Sequence, residues 1–103
     1  MKKSHRQFTP RHEAQAERSL VAALLTQRTP EDLRAFLRDL CTPAELQAMA
    51  DRWAVVECLQ RDLPYREIHR ITGVSLTTIG RVARYLATGN GGYSLAVKRL
   101  ENT

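Results

Sequence analysis

Apolar residues recur along this chain every three or four positions, and no stretch alternates strictly between apolar and polar. That period predicts helices and argues against strands. Leu20, Val21, Leu24 and Leu25 share one helical face between Glu13 and Gln27, and Leu33, Phe36, Leu37 and Leu40 form the next stripe. The third run is the longest. It passes through Leu46, Met49, Trp53 and Val56, is widened by Val55 and Leu59, and reaches about Arg61. Pro64 ends it. A short helix near Tyr65 to Thr72, a break at Gly73, and a helix from about Leu76 to Ala87 come next. Tyr93 to Leu100, with Leu95, Val97 and Leu100 apolar, predicts a last helix.

Polar punctuation fits these boundaries. In Thr29-Pro30-Glu31-Asp32 the threonine can cap a helix, and proline suits the first helical position, where its missing N–H has no partner to lose. The two acids favour the positive end of the helix dipole. Thr42-Pro43-Ala44-Glu45 repeats the device, with Glu45 able to complete a capping box. Gly89-Asn90-Gly91-Gly92 reads as a helix end and linker, because no strand precedes it and its spacing is wrong for a phosphate-binding loop. The expected fold is all-α, with six helices.

Length and composition narrow this further. A chain of 103 residues supports one modest core, so residues 1–12 are expected to be a flexible basic arm and 13–103 a single helical domain. An apolar share of 43% excludes a wholly disordered chain. No apolar run approaches the roughly 20 residues of a membrane span, and Met1 to Thr9 lacks the apolar stretch of a signal peptide, so a cytoplasmic protein without membrane contact is expected. Cys41 and Cys58 are far apart and form no CxxC, which favours reduced, buried thiols over a disulfide or metal site.

The formal charge is +5, and its distribution matters more than its total. Lys2, Lys3, Arg6 and Arg11 stand in residues 1–12 without an acid. Residues 13–59 hold five arginines against eight acids. Between 60 and 88, Arg61, Arg66, Arg70, Arg81 and Arg84 face only Asp62 and Glu67. Cations gathered at an arm and around one short segment suit a phosphate-facing surface.

That segment, Tyr65 to Val82, has the logic of a helix-turn-helix, which the pattern places at 65–87. Two short helices crossing steeply need a tight turn, and Gly73 supplies the positive φ. Ile68, Val74, Ile79 and Val82 fall where the helices must touch, and Ser75 is a natural N-cap for the second helix. The first turn of that helix would enter a major groove of double-stranded DNA. Thr77 and Thr78 offer hydroxyls and methyls there, and Leu76 could pack on a thymine methyl. Gly80 lets the groove wall approach closely. Arg66 and Arg84 are placed for phosphates or base edges, and His69 more weakly. His69 also departs from the small residue favoured at its position in such motifs.

Leu40-Cys41-Thr42-Pro43 through Arg52, and Tyr65-Arg66-Glu67-Ile68 through Thr77-Thr78-Ile79-Gly80-Arg81, resemble the tryptophan repressor family. Arg81-Val82-Ala83-Arg84-Tyr85-Leu86, then Gly89-Asn90 and Tyr93, resemble its YerC/YecD branch more closely. The likeness covers roughly residues 30–100. It implies an interlocked homodimer in which N- and C-terminal helices of both chains share one core, with two recognition helices addressing successive major grooves. The apolar stretch Val21 to Leu25 agrees, since so small a chain offers it few partners. The function implied is a sequence-specific transcriptional regulator, a repressor in the family's manner.

The same resemblance implies a candidate ligand pocket. In the tryptophan repressor two arginines flank the corepressor's indole and a threonine before the TP cap lines the site. Arg52, Arg81 and Thr42 match those positions. Val82 and Tyr85 replace a glycine and a serine, and their bulk opposes L-tryptophan. No cofactor is expected, and DNA binding is either constitutive or under another small-molecule corepressor. From a different class, the two short helices could instead form a protein-interaction module docking a partner in the transcription machinery. An enzyme is not expected: His5, His12 and His69 make neither a triad nor a metal spacing, and Glu31-Asp32 reads as helix-start chemistry.

Overall fold

Thr9-Pro10 starts the first helix with the same device as Thr29-Pro30. In a computed structural model, which describes residues 9–103, α1 spans Pro10–Leu25 and α2 spans Pro30–Leu40. The side chains of Thr9 and Thr29 accept hydrogen bonds from the backbone N–H groups of His12 and Asp32, at 3.2 and 3.0 Å. The helix therefore begins three residues before the expected Glu13, and Pro10, Arg11 and His12 belong to it rather than to an arm. The remainder of the expected basic arm, residues 1–8, lies outside the described residues.

The chain divides at Thr42 into two compact units, where length alone predicts one domain over 13–103. The first carries α1 and α2, and neither helix has a buried residue. Leu25 and Leu40 are 79% and 51% exposed while Leu24, Phe36 and Leu37 are half-buried, so the apolar stripes read from the sequence exist but are only partly covered.

The second unit holds α3 (Pro43–Gln60), α4 (Tyr65–Thr72), α5 (Leu76–Thr88) and α6 (Gly92–Glu101). Among the described residues the chain has six helices and no strand. Helix α5 packs on α3, α4 and α6, and α3 also packs on α4. The core consists of Val55, Val56 and Cys58 from α3, Ile68 from α4, Val74 in the turn, and Ile79 and Val82 from α5. Trp53, Leu59, Leu63, Leu86, Tyr93 and Val97 pack around it. Burial of α3 is thus confined to its second half. Met49, expected in the stripe, is 41% exposed, because the short helices α4 and α5 do not cover the first half.

The end of α3 is set by backbone geometry before Pro64 is reached. Asp62 has φ of 59°. Its N–H donates to the Leu59 carbonyl at 3.0 Å, and the Leu63 N–H donates to the Cys58 carbonyl at 3.3 Å. These are the two bonds of a Schellman motif, with Asp62 in the left-handed position usually held by glycine. Leu63 then packs against the core and fixes the direction in which α4 departs. No helix among the described residues is long and apolar enough to cross a membrane.

Candidate nucleic-acid interface

Ile68, Val74, Ile79 and Val82, the four residues expected to join the helix-turn-helix, are all buried; Ile68 and Ile79 are fully so. Ile68 is the inner-face residue of the two-turn helix α4, and Ile79 and Val82 lie on one side of α5 at helical spacing. Their burial fixes which faces of α4 and α5 remain outside.

Gly73 terminates α4 at φ 75°, and its N–H donates to the His69 carbonyl at 2.9 Å. A residue with a Cβ resists that conformation. Two side chains brace the turn from within. The Thr72 hydroxyl donates to the Ile68 carbonyl at 2.7 Å and accepts from the Val74 N–H at 3.1 Å. The His69 ring nitrogen Nδ1 lies 2.7 Å from the Val74 carbonyl oxygen. A carbonyl only accepts, so Nδ1 carries the proton and Nε2 is the nitrogen left over. The larger residue noted at position 69 therefore holds the turn rather than disturbing it.

Helix α5 opens beyond that turn. The Ser75 hydroxyl accepts from the Thr78 N–H at 3.1 Å and donates to the Thr78 hydroxyl at 3.1 Å. Thr78 is half-buried and engaged by its cap, whereas Leu76 and Thr77 stand exposed at the tip, Leu76 at 50%. Arg84 is exposed two turns along α5, and Arg66 is exposed at the start of α4. Gly80 is half-buried. On α4, Arg70 is ion-paired with Glu67, and this hydrogen bond holds the Glu67 carboxyl below its ordinary range. Arg70 thus has an acidic partner on its own helix, while Arg66 is exposed at the start of α4.

Three of the candidate ligand residues share one cleft. Arg81, Val82 and Tyr85 line a cleft of about 420 Å³ with Asn90, Gly92 and Tyr93 at the junction of α5 and α6. Arg52 is half-buried in α3 and does not line it, and Thr42 belongs to the first unit. Val82 is 1% exposed, so its side chain serves the core. The Arg81 guanidinium lies over the Tyr85 ring at 4.5 Å from its centroid, with that of Arg84 at 5.7 Å. Cations at these distances are attracted by the negative face of the ring. Tyr85 thus stands in the wall of the cleft with two guanidinium groups against its ring. Asn90 and Tyr93 were not predicted there, and only the α6 geometry brings them in. Among the described residues, no three His, Cys, Asp or Glu side chains gather as a metal site would need.

The model of the Trp repressor protein family matches residues 15–101. The uncharacterized protein YerC of Bacillus subtilis (strain 168) is 37% identical over 84 residues, covering 82% of this chain and 81% of that one. Among solved structures, a TrpR-like protein from Eubacterium eligens ATCC 27750 superposes with a TM-score of 0.80 at 34% identity, covering 84% of this chain and 90% of the other. One from Staphylococcus aureus gives 0.79 at the same identity, covering 84% and 86%. Six helices in this order, a braced helix-turn-helix within them and a family match across nearly the whole chain agree: the protein belongs to the Trp repressor family.

Proposed function

We propose that this protein is a sequence-specific transcriptional regulator, a repressor, that binds double-stranded DNA as a homodimer and inserts the first turn of α5 into the major groove. One observation carries the reading: Ser75 to Thr77 project from a turn whose other side chains are buried or bonded, so an exposed tip is held on a rigid base. Rigid presentation is what base readout requires. Thr77 and Leu76 read base edges, Thr78 supports them, and Arg66 and Arg84 contact phosphates on either side. Membership of the family supports this assignment, as does the excess of arginine over acid between residues 60 and 88. Work on DNA also fits the cytoplasmic location expected from the sequence.

The incompletely covered stripes of α1 and α2 support the dimer. Helices with no buried residue gain little stability from packing within the protomer, and a second copy is the partner a member of this family would supply. In this reading binding is independent of L-tryptophan, constitutive or under another small ligand; the bulk of Val82 and Tyr85, and the two arginines held against the Tyr85 ring, support it. Selection of binding sites from a random duplex library tests the proposal. A two-fold symmetric site with half-sites about 34–36 Å apart, one helical turn, is expected. Enrichment of no sequence would contradict it.

A further inference from the structure

Gly80 is the glycine that the fold does not ask for. Gly73 and Gly91 hold φ of 75° and 87°, and a Cβ on Gly89 would lie 2.4 Å from the Tyr85 carbonyl oxygen. Gly92 stands in the first turn of α6, where a glycine costs little. Gly80 sits in the interior of α5 with ordinary helical φ, and a Cβ there would meet nothing within 4 Å. Glycine loses more conformational freedom in a helix than any other residue, so this position weakens α5 without any return inside the protomer.

Its place on the helix says where the return lies. Ile79 and Val82 mark the buried side of α5. Thr77 is three residues before Gly80 and Arg84 four after, which puts all three on neighbouring turns of the outward side. Gly80 therefore makes a notch between an exposed hydroxyl and an exposed guanidinium. We infer that the notch receives the sugar–phosphate wall of the DNA major groove, with the Arg84 guanidinium beside it to neutralise the phosphate. This inference rests on the DNA-binding function proposed above and adds to it a residue that sets how deeply α5 can seat. The backbone of the duplex, rather than a base edge, is the fitting occupant because a notch without a side chain offers no donor or acceptor to read a base, while the cation next to it matches a phosphate.

The test compares wild type, Gly80→Ala and Gly80→Leu. Gly80→Ala should melt higher by about 4–8 °C, since it replaces glycine by a better helix former whose Cβ meets nothing. Anisotropy titration with a selected duplex and a random duplex should show affinity reduced about tenfold by Gly80→Ala, and further by Gly80→Leu, equally on both. Sedimentation should show self-association unchanged. Gly80→Ala with wild-type affinity overturns the inference while leaving DNA binding intact. A loss seen only on the selected duplex assigns the notch to a base edge and also overturns it, as does a loss of self-association, which assigns it to a second copy. Failure of the wild-type chain to bind either duplex overturns both readings.

Discussion

His69 donates a hydrogen bond from Nδ1 to the carbonyl oxygen of Val74 at 2.7 Å, across the turn that separates α4 from the recognition helix. The bond spans five residues and ties the last turn of α4 to the residue just ahead of the α5 cap. Together with Thr72, it makes the crossing of the two helices a property of side chains as well as of the apolar contact beneath them.

His69→Ala removes this brace and leaves the Val74 carbonyl to find another partner. Unfolding in urea should show a loss of about 1 kcal/mol. Affinity for a selected duplex should fall more than affinity for random DNA, because base contacts depend on the angle of α5 more closely than phosphate contacts do. An equal loss on both duplexes would make His69 a simple phosphate contact.

Ser75 separates stability from DNA affinity. Ser75→Ala should cost about 1 kcal/mol by removing the cap on Thr78 N–H. Ser75→Asp retains a capping oxygen and adds a charge favourable to the helix dipole, so its melting temperature should match or exceed wild type. The same carboxylate faces phosphate in the proposed complex and should weaken DNA binding severely. Wild-type affinity in Ser75→Asp would place the α5 tip away from DNA.

Much of this protein is legible in its sequence, for reasons visible at individual residues. Thr29-Pro30 and Ser75 are local signals whose geometry involves four consecutive positions, and the structure places both caps where the pattern puts them. The early start of α1 carries that same Thr-Pro signal at Thr9-Pro10, set among basic residues that by themselves read as an arm. Other features depend on the fold. Asp62 adopts a left-handed φ that composition does not announce, and Met49 has the right period for the core but lies beyond the reach of α4 and α5. The His69 bond exists only once Gly73 has turned the chain, and Asn90 and Tyr93 join Arg81 only once α6 has folded back.

Asp62→Gly is expected to stabilise the protein by up to about 1 kcal/mol. The left-handed conformation that ends α3 is strained for a residue with a Cβ, and glycine relieves it. The greater freedom of glycine in the unfolded chain offsets part of the gain. Equilibrium unfolding reads the difference, and a loss of stability would mean that the Asp62 side chain contributes to the turn.

Arg84 and Thr77 should differ in kind. Arg84→Ala should weaken every duplex by a similar factor and lower the salt slope of the dimer by about 1.8, about 0.9 for the phosphate lost by each protomer. Thr77→Ala should change preference at one base pair by about 1–3 kcal/mol. Equal losses on selected and random DNA for Thr77→Ala would contradict its role as a reader of bases.

The measurement that bears most directly on the central claim is the affinity of the full chain for duplex DNA as a function of salt. A dimer neutralising about six phosphates should lose about 10³-fold in affinity between 50 and 200 mM salt, along a straight line of log affinity against log salt. An affinity that is flat over that range, or no binding to any duplex at 50 mM, would contradict the account and favour a protein partner for the helix-turn-helix.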